Sequence, residues 1–173
     1  MKRITLTVAL VGTLVAAGAV AARADVNDSW ITTKAKIALL TSDGFSVNGV
    51  NVDTVHGNVT IHGKVTTAED RTKAEKTVRE VTGVKTVKNL LQVVPKSAEK
   101  AVKHNDAEVK DRVEASLKND KQMEDVKVAS VNDGVVLLKG KTDNLSEKLR
   151  AIENVYAVVG VQRVATEIET REN

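Results

Sequence analysis

Two short stretches of the 173-residue sequence decide its fold: residues 57–63 read GNVTIHG, and residues 134–140 read GVVLLKG. In both stretches apolar residues lie between two glycines, which is typical of a β-strand bounded by turns. Six glycines keep one constant offset of 77 residues between two copies, so that Gly57, Gly63 and Gly83 match Gly134, Gly140 and Gly160. We interpret these glycines as structural and the chain as one module written twice.

Each copy predicts the same order of helices and strands. Ile31, Ala35 and Leu39 recur every four residues, which predicts an amphipathic helix with Asp28 at its N-cap. Alternating apolar residues on both sides of a Gly-containing turn predict a β-hairpin. A capping box then begins a second helix, and a last alternating segment predicts a third strand that pairs in parallel. The predicted fold class is α+β: two tandem αββαβ domains, each a small mixed three-stranded sheet covered on one face by two helices.

The first 24 residues are typical of a secretory signal peptide. Lys2 and Arg3 precede an uncharged stretch that ends at Ala22, and the small residues Ala22 and Ala24 predict cleavage after Ala24. The alternative is an uncleaved membrane anchor, because the stretch approaches the roughly 20 residues needed to span a bilayer. Several Gly, Thr and Ala residues within it disfavour that alternative. We therefore expect an exported protein.

The remaining chain divides into domain 1 (residues 25–95), a linker (residues 96–104) and domain 2 (residues 105–173). Their formal net charges are +1, +2 and −3, so the chain after residue 24 is neutral. Nucleic-acid binding needs a basic surface and commonly uses aromatic stacking. A neutral chain with one Trp, one Tyr and one Phe is therefore not expected to bind nucleic acid.

The sequence contains no constellation of catalytic residues. It has no Cys, which excludes disulfides and cysteine-based metal or redox sites, and none of its Ser residues lies in a nucleophile-elbow motif. His56 and His62 lie six residues apart, which is about 20 Å along a strand, so they cannot share a metal ion. We expect both histidines to be solvated. We also expect no enzymatic activity, no cofactor or metal, and no small-molecule substrate.

Each copy has an extra apolar stripe on one helix. The residues that are apolar in one copy and polar or small in the other are Trp30, Ile37 and Leu40 on the first helix of domain 1, and Leu149, Ile152 and Tyr156 on the second helix of domain 2. Two interpretations stay open: the stripes bury each other between the domains, or they bind a partner. Trp30 beside Lys34 suits the headgroup region of an anionic phospholipid surface. An apolar stripe also suits unfolded envelope proteins as clients.

The repeated motifs resemble the BON family (bacterial osmotic-shock and nodulation domain). The resemblance rests on an acid before an apolar helix, then V-x-V, G-x-V-x-I-x-G and a final G-V-x-x-V; the first copy has Asp28, Val50-Asn51-Val52, residues 57–63 and residues 83–87, and the second has counterparts from Asp106 to Val164. The second copy departs from this pattern at Thr142, and we place its one extra residue in the hairpin turn.

A signal peptide followed by two such domains is similar to the osmotically inducible periplasmic proteins of Gram-negative bacteria. The resemblance implies a non-enzymatic periplasmic protein of the cell envelope. Its implied role is osmotic-shock protection through association with phospholipid surfaces. The alternative that it implies is a periplasmic chaperone that holds envelope proteins.

Overall fold

The computed structural model describes residues 19–44 and 46–171, with side chains from Asn27 onward. Most of the expected signal peptide, residues 1–18, lies outside the described residues, and so does most of the alternative membrane anchor. The first described helix begins at Ala19 and therefore runs across the expected cleavage site after Ala24.

The described residues form the αββαβ order twice, which confirms the predicted fold. Domain 1 contains α1 (Ala19–Leu40), β1 (Val50–Val55), β2 (Asn58–Val65), α2 (Ala68–Arg79) and β3 (Thr86–Val93). Domain 2 contains α3 (Glu99–Lys118), β4 (Val126–Asn132), β5 (Val135–Thr142), α4 (Leu145–Tyr156) and β6 (Arg163–Thr170), with a short 3₁₀ helix over Lys121–Met123.

Each domain has a mixed three-stranded sheet, and the second strand of its hairpin lies in the middle. In domain 1 the order is β1-β2-β3, with β1 antiparallel and β3 parallel to β2. Domain 2 repeats this arrangement as β4-β5-β6. The parallel pair follows from the helical crossover between the second and third strands, because such a crossover returns the chain to the starting end of the sheet.

Two helices cover one face of each sheet and form a separate hydrophobic core with it. The core of domain 1 contains Ile31, Ala35, Leu39, Val52, Val59, Ile61, Val65, Ala74, Val78 and Leu91. The core of domain 2 contains Val109, Val113, Leu117, Met123, Val126, Val136, Leu138, Ala151, Val155 and Ile168. Burying one large aliphatic side chain stabilises a fold by about 1.5–3 kcal/mol, so each domain has a substantial core of its own.

Gly63 and Gly140 allow the central strand of each domain to lie against the loop that precedes the first strand, β1 or β4. Their φ angles are +127° and +135°, which side chains rarely adopt. A Cβ on Gly63 would lie 1.8 Å from the carbonyl oxygen of Gly49, and a Cβ on Gly140 would lie 1.9 Å from that of Asp125. Both positions therefore require glycine.

The connection between the domains is shorter than the expected linker of residues 96–104. The helix α3 already begins at Glu99, so the larger part of that segment is helical. The physical reason is its composition, because residues 99–104 contain Glu, Lys, Ala, Val and His and neither Gly nor Pro, which leaves nothing to interrupt a helix. The non-helical connection consists of residues 94–98, around Pro95.

The extra residue of the second copy lies in a strand, which corrects its expected place in the hairpin turn. Both turns have two residues with positive φ, His56-Gly57 and Asp133-Gly134, as right-handed strand twist favours. The register instead shifts between Val128 and Ser130, which makes Ala129 a β-bulge. A bulge absorbs one residue without changing the turn.

Asp28 also differs from its expected role as an N-cap, because α1 begins nine residues earlier, at Ala19. Its carboxylate accepts hydrogen bonds from the backbone N–H groups of His56 and Gly57 in the β1–β2 turn. Asp106 accepts equivalent bonds from Asp133 and Gly134 in the second copy. In both domains the first helix is therefore tied to the hairpin turn by one carboxylate.

The domains pack through the sheet faces that their own helices leave uncovered. Leu90 in β3 packs with Leu137 in β5 and Ala165 in β6, and all three are buried. The adjacent residue Leu91 points to the opposite face and belongs to the core of domain 1. The molecule therefore has four layers: α1 with α2, the first sheet, the second sheet, and α3 with α4.

Candidate functional site

The outer face of α1 carries an apolar stripe, which we call the α1 stripe and define as Trp30, Ile37 and Leu40. These side chains are 59%, 52% and 64% exposed. They lie on the helix face opposite Ile31, Ala35 and Leu39, which are buried against the sheet. Positions 30, 37 and 40 are spaced by seven and three residues, so they share one face of the helix.

Lysines flank the α1 stripe on both sides. Lys34 lies one turn after Trp30 and one turn before Ile37, whereas Lys36 lies one turn before Leu40. The Lys34 ammonium donates a hydrogen bond to the carbonyl oxygen of Thr82, so one of its three donors is already used. Lys36 is exposed. Lys34 thus lies one helical turn from Trp30, as the sequence predicts, although its ammonium is anchored to its own domain.

The outer face of α4 carries the second stripe. We call it the α4 stripe; it contains Leu145, Leu149, Ile152 and Tyr156 of the helix, together with Val159 in the turn after it. Leu149 and Tyr156 are about half exposed and Ile152 is half-buried. Leu145 and Val159, which are exposed, lengthen the stripe beyond the sequence prediction. Comparison of the copies missed Val159 because its counterpart, Thr82, lies outside the helices that were compared.

The two stripes do not bury each other, which makes that interpretation wrong. The sheets meet between the domains, and this places α1 and α4 in the two outer layers of the molecule. Trp30 and Tyr156 both keep half or more of their surface exposed to solvent. The alternative interpretation, in which the stripes bind a partner, stays a prediction.

The surface between the domains also contains polar groups, of which Lys139 and Asp53 are more exposed than its buried apolar residues. Lys139 Nζ in domain 2 lies 2.6 Å from Asp53 Oδ1 in domain 1, and His62 Nε2 donates to Asp53 Oδ2 over 2.8 Å. Burial raises the pKa of Asp53, but the hydrogen bonds and positive charges of His62 and Lys139 outweigh it and lower the pKa from 3.8 to about 2. Asp53 is therefore ionised at neutral pH.

His62 is buried in this surface, which corrects the expectation that it is solvated. The reason is the packing of the two sheets, which covers a strand face that the sequence pattern assigns to solvent. His56 is exposed, as expected, and its Nε2 lies 3.5 Å from Glu169 Oε1 of domain 2. The two histidines therefore have separate acidic partners.

Metal and membrane-spanning sites are absent from the described part of the chain. Within residues 19–44 and 46–171, no group of three or more His, Asp or Glu residues could hold a metal ion. Of the helices described, none is both long enough and apolar enough to cross a bilayer.

Comparison with known proteins gives one family and one curated relative. The BON domain family matches residues 27–95 and residues 105–172. Osmotically-inducible protein Y of Escherichia coli (strain K12) is 32% identical over 150 residues, which cover 84% of this chain and 74% of that protein.

Among solved structures, the C-terminal domain of CdsD, a structural protein of the type III secretion system of Chlamydia trachomatis, is similar to 84% of this chain. The similarity covers 67% of that chain at 14% identity, with a TM-score of 0.35, and it carries no functional argument. Each of the two family matches begins within the first helix of one αββαβ unit and covers the rest of that unit, including the hairpin turn bonded to Asp28 or Asp106. Together with the 32% identical relative, they show that this chain belongs to the BON domain family, as a tandem-BON protein similar to osmotically-inducible protein Y.

Proposed function

We propose that the chain is an exported, non-enzymatic envelope-stress protein of the periplasm that attaches to anionic phospholipid surfaces through the α1 stripe. The observation that carries this proposal is the exposure of Trp30, Ile37 and Leu40 on an outer helix face between two lysines. The name of the Escherichia coli relative supports a role in osmotic stress.

The chemistry of the α1 stripe fits a bilayer surface. A helix that lies in the interface places its apolar face at the boundary between headgroups and acyl chains, and Trp favours that depth. A lysine near an anionic surface contributes about 1 kcal/mol, and added salt screens this attraction. With Lys36 and Lys34 beside three apolar side chains, we expect weak attachment that salt reverses.

A second candidate function has a specific observation of its own in the α4 stripe. Domain 2 has 11 Lys or Arg against 14 Asp or Glu, so an anionic bilayer repels it overall. Its five-residue apolar stripe would suit an unfolded envelope protein better than a lipid headgroup. A chaperone or partner-binding function would therefore use the opposite outer layer of the molecule from the lipid-binding function.

Flotation of the protein with vesicles tests the first function. We expect the protein to float with vesicles that contain phosphatidylglycerol at about 20 mM NaCl and to separate from them at about 500 mM NaCl. We expect Trp30→Ala to abolish flotation. Tyr156→Ala is the matched control, since it removes an aromatic of similar exposure from the α4 stripe, and it should float like the parent protein.

The same variants separate the two functions. If the α4 stripe holds clients, Tyr156→Ala weakens suppression of aggregation of an unfolded test protein, and Trp30→Ala does not. Absence of low-salt flotation with anionic vesicles would reject the lipid function. Equal flotation with purely zwitterionic vesicles would reject the role of the lysines.

A further inference from the structure

The interface between the two sheets has a small apolar part. Its buried apolar residues are Leu90, Leu137 and Ala165, and the bulge residue Ala129 packs against them half-buried. Each domain core, in contrast, has ten buried apolar residues. Hydrophobic stabilisation grows with the buried apolar area. The hydrophobic effect therefore contributes much less to packing between the domains than to the folded state of either domain.

Among the described residues, three ion pairs connect the domains around this apolar part. Lys139 pairs with Asp53 and Lys64 Nζ pairs with Asp106 Oδ2, both at 2.6 Å, whereas the His56–Glu169 pair at 3.5 Å is longer and more exposed. The lysine side chains are 37% and 21% exposed. Solvent and dissolved ions therefore reach both lysines, so that salt can screen them.

Closing the interface also costs free energy, because it buries polar side-chain atoms that have no hydrogen bond. Three buried side-chain atoms of the described residues have no hydrogen bond: His62 Nδ1, Ser130 Oγ and Glu167 Oε2. Glu167 Oε2 still lies 3.8 Å from Lys139 Nζ of the same domain, so the cost of burial falls mainly on His62 Nδ1 and Ser130 Oγ. All three residues lie on the sheet faces that meet between the domains, since His62 neighbours Ile61 of the core, Ser130 pairs with Leu137, and Glu167 neighbours Ile168 of the core. Burying a polar group without a partner costs about 1–3 kcal/mol, which separation of the domains would recover.

We infer that the Lys139–Asp53 and Lys64–Asp106 pairs form an ionic latch, which holds the two domains closed at low ionic strength and lets them separate, still folded, as ionic strength rises. The Debye length falls from about 10 Å at 0.1 M salt to about 3 Å at 1 M, so salt weakens the latch more than it weakens the two cores. The domains would turn about residues 94–98, the only stretch without helix or strand between β3 and α3. Opening would expose Leu90 and Leu137. This inference does not depend on lipid binding.

Fluorescence energy transfer between the domains tests the latch. The chain contains no Cys, so a Thr72→Cys, Ala115→Cys pair takes dyes only on α2 and α3, where both native side chains are exposed. We expect high transfer at about 20 mM NaCl and a progressive fall up to about 1 M, with unchanged helix and strand content by circular dichroism. Constant transfer over this range, or loss of secondary structure together with transfer, would overturn the inference.

Two variants test whether the ion pairs between the domains cause the salt-dependent opening. Lys139→Met removes the cation of one latch pair, and we expect it to give low transfer already at low salt, with a salt dependence reduced several-fold. Arg171→Met is the control, because Arg171 pairs with Asp125 and Asp143 inside domain 2. It should respond to salt like the parent protein. If Lys139→Met stays closed at low salt, or if Arg171→Met opens equally, the pairs between the domains do not act as a latch.

Discussion

Lys139 Nζ lies 2.6 Å from Asp53 Oδ1 and joins the central strand of domain 2 to the first strand of domain 1. The same carboxylate also accepts the hydrogen bond of the buried His62. Asp53 is thus bonded from both domains, and Lys139 of domain 2 helps to lower its pKa. Removing one partner of such a pair costs more than the pair contributes, because a charge is left in a partly buried place.

The first prediction concerns pH. The folded pKa of Asp53 is lowered from 3.8 to about 2, so its contribution to stability is fully present above about pH 4 and is lost as the pH falls through 2. We expect Asp53→Asn to remove on the order of 1–2 kcal/mol at neutral pH and much less below pH 2. Urea unfolding of the parent and the variant at a series of pH values measures this. A difference that stays constant from pH 7 to pH 2 would contradict the assignment.

The second prediction uses two adjacent leucines on opposite faces of β3. Leu91→Ala leaves a cavity in the core of domain 1 and should destabilise the protein by about 2–5 kcal/mol. Leu90→Ala removes apolar contact between the domains, so we expect a smaller loss of stability with a clear fall in energy transfer between α2 and α3. Thermal unfolding and transfer are measured on both variants. If Leu91→Ala lowered the energy transfer and Leu90→Ala caused the larger loss of stability, the domains would meet at another surface.

The third prediction concerns Gly63. Its Cβ position lies 1.8 Å from the Gly49 carbonyl oxygen, so Gly63→Ala forces two backbone segments apart and should cost roughly 3 kcal/mol or more. Gly44→Ala is the control, since Gly44 has φ +67° but open space around its Cβ position, and it should cost about 1 kcal/mol. The stability losses of the two variants are compared through their midpoints of unfolding in denaturant. Equal losses would mean that backbone conformation, and not close approach, fixes Gly63.

The fourth prediction concerns the carboxylate that ties α1 to its hairpin turn. Asp28→Ala leaves the N–H groups of His56 and Gly57 without their acceptor and should destabilise domain 1 by about 1–3 kcal/mol. Asp43→Ala changes an exposed acid in the loop after α1 and should stay within about 0.5 kcal/mol of the parent. Chemical denaturation ranks the variants, and an Asp28→Ala cost as small as that of Asp43→Ala would show that the turn does not need its acceptor.

The sequence predicts the repeated αββαβ fold because the signals for it are local. The four-residue spacing of Ile31, Ala35 and Leu39 places these residues in the core, and the crossover helix dictates the parallel strand pair. The offset of 77 residues between the glycines relates two copies of one backbone. None of these signals depends on how the two domains pack against each other.

The packing between the domains could not be predicted in this way. Thr60, His62 and Lys64 alternate with the buried residues of β2, and this pattern is typical of a strand face open to solvent. The role of Asp28 and the place of the extra residue, Ala129, were predicted wrongly for a related reason. A bond from a side chain to a turn and a bulge both depend on three-dimensional register. The position of Trp30 on the first helix was predicted, whereas its outer position and its exposure follow only from the way the sheets meet.

Emission from Trp30 tests the central claim most directly, because it is the only Trp in the chain and lies in the α1 stripe. When vesicles containing phosphatidylglycerol are added at low salt, we predict a shift of its emission to shorter wavelength and protection from acrylamide quenching, both reversed by salt. Unchanged emission and unchanged quenching at saturating lipid would contradict the account.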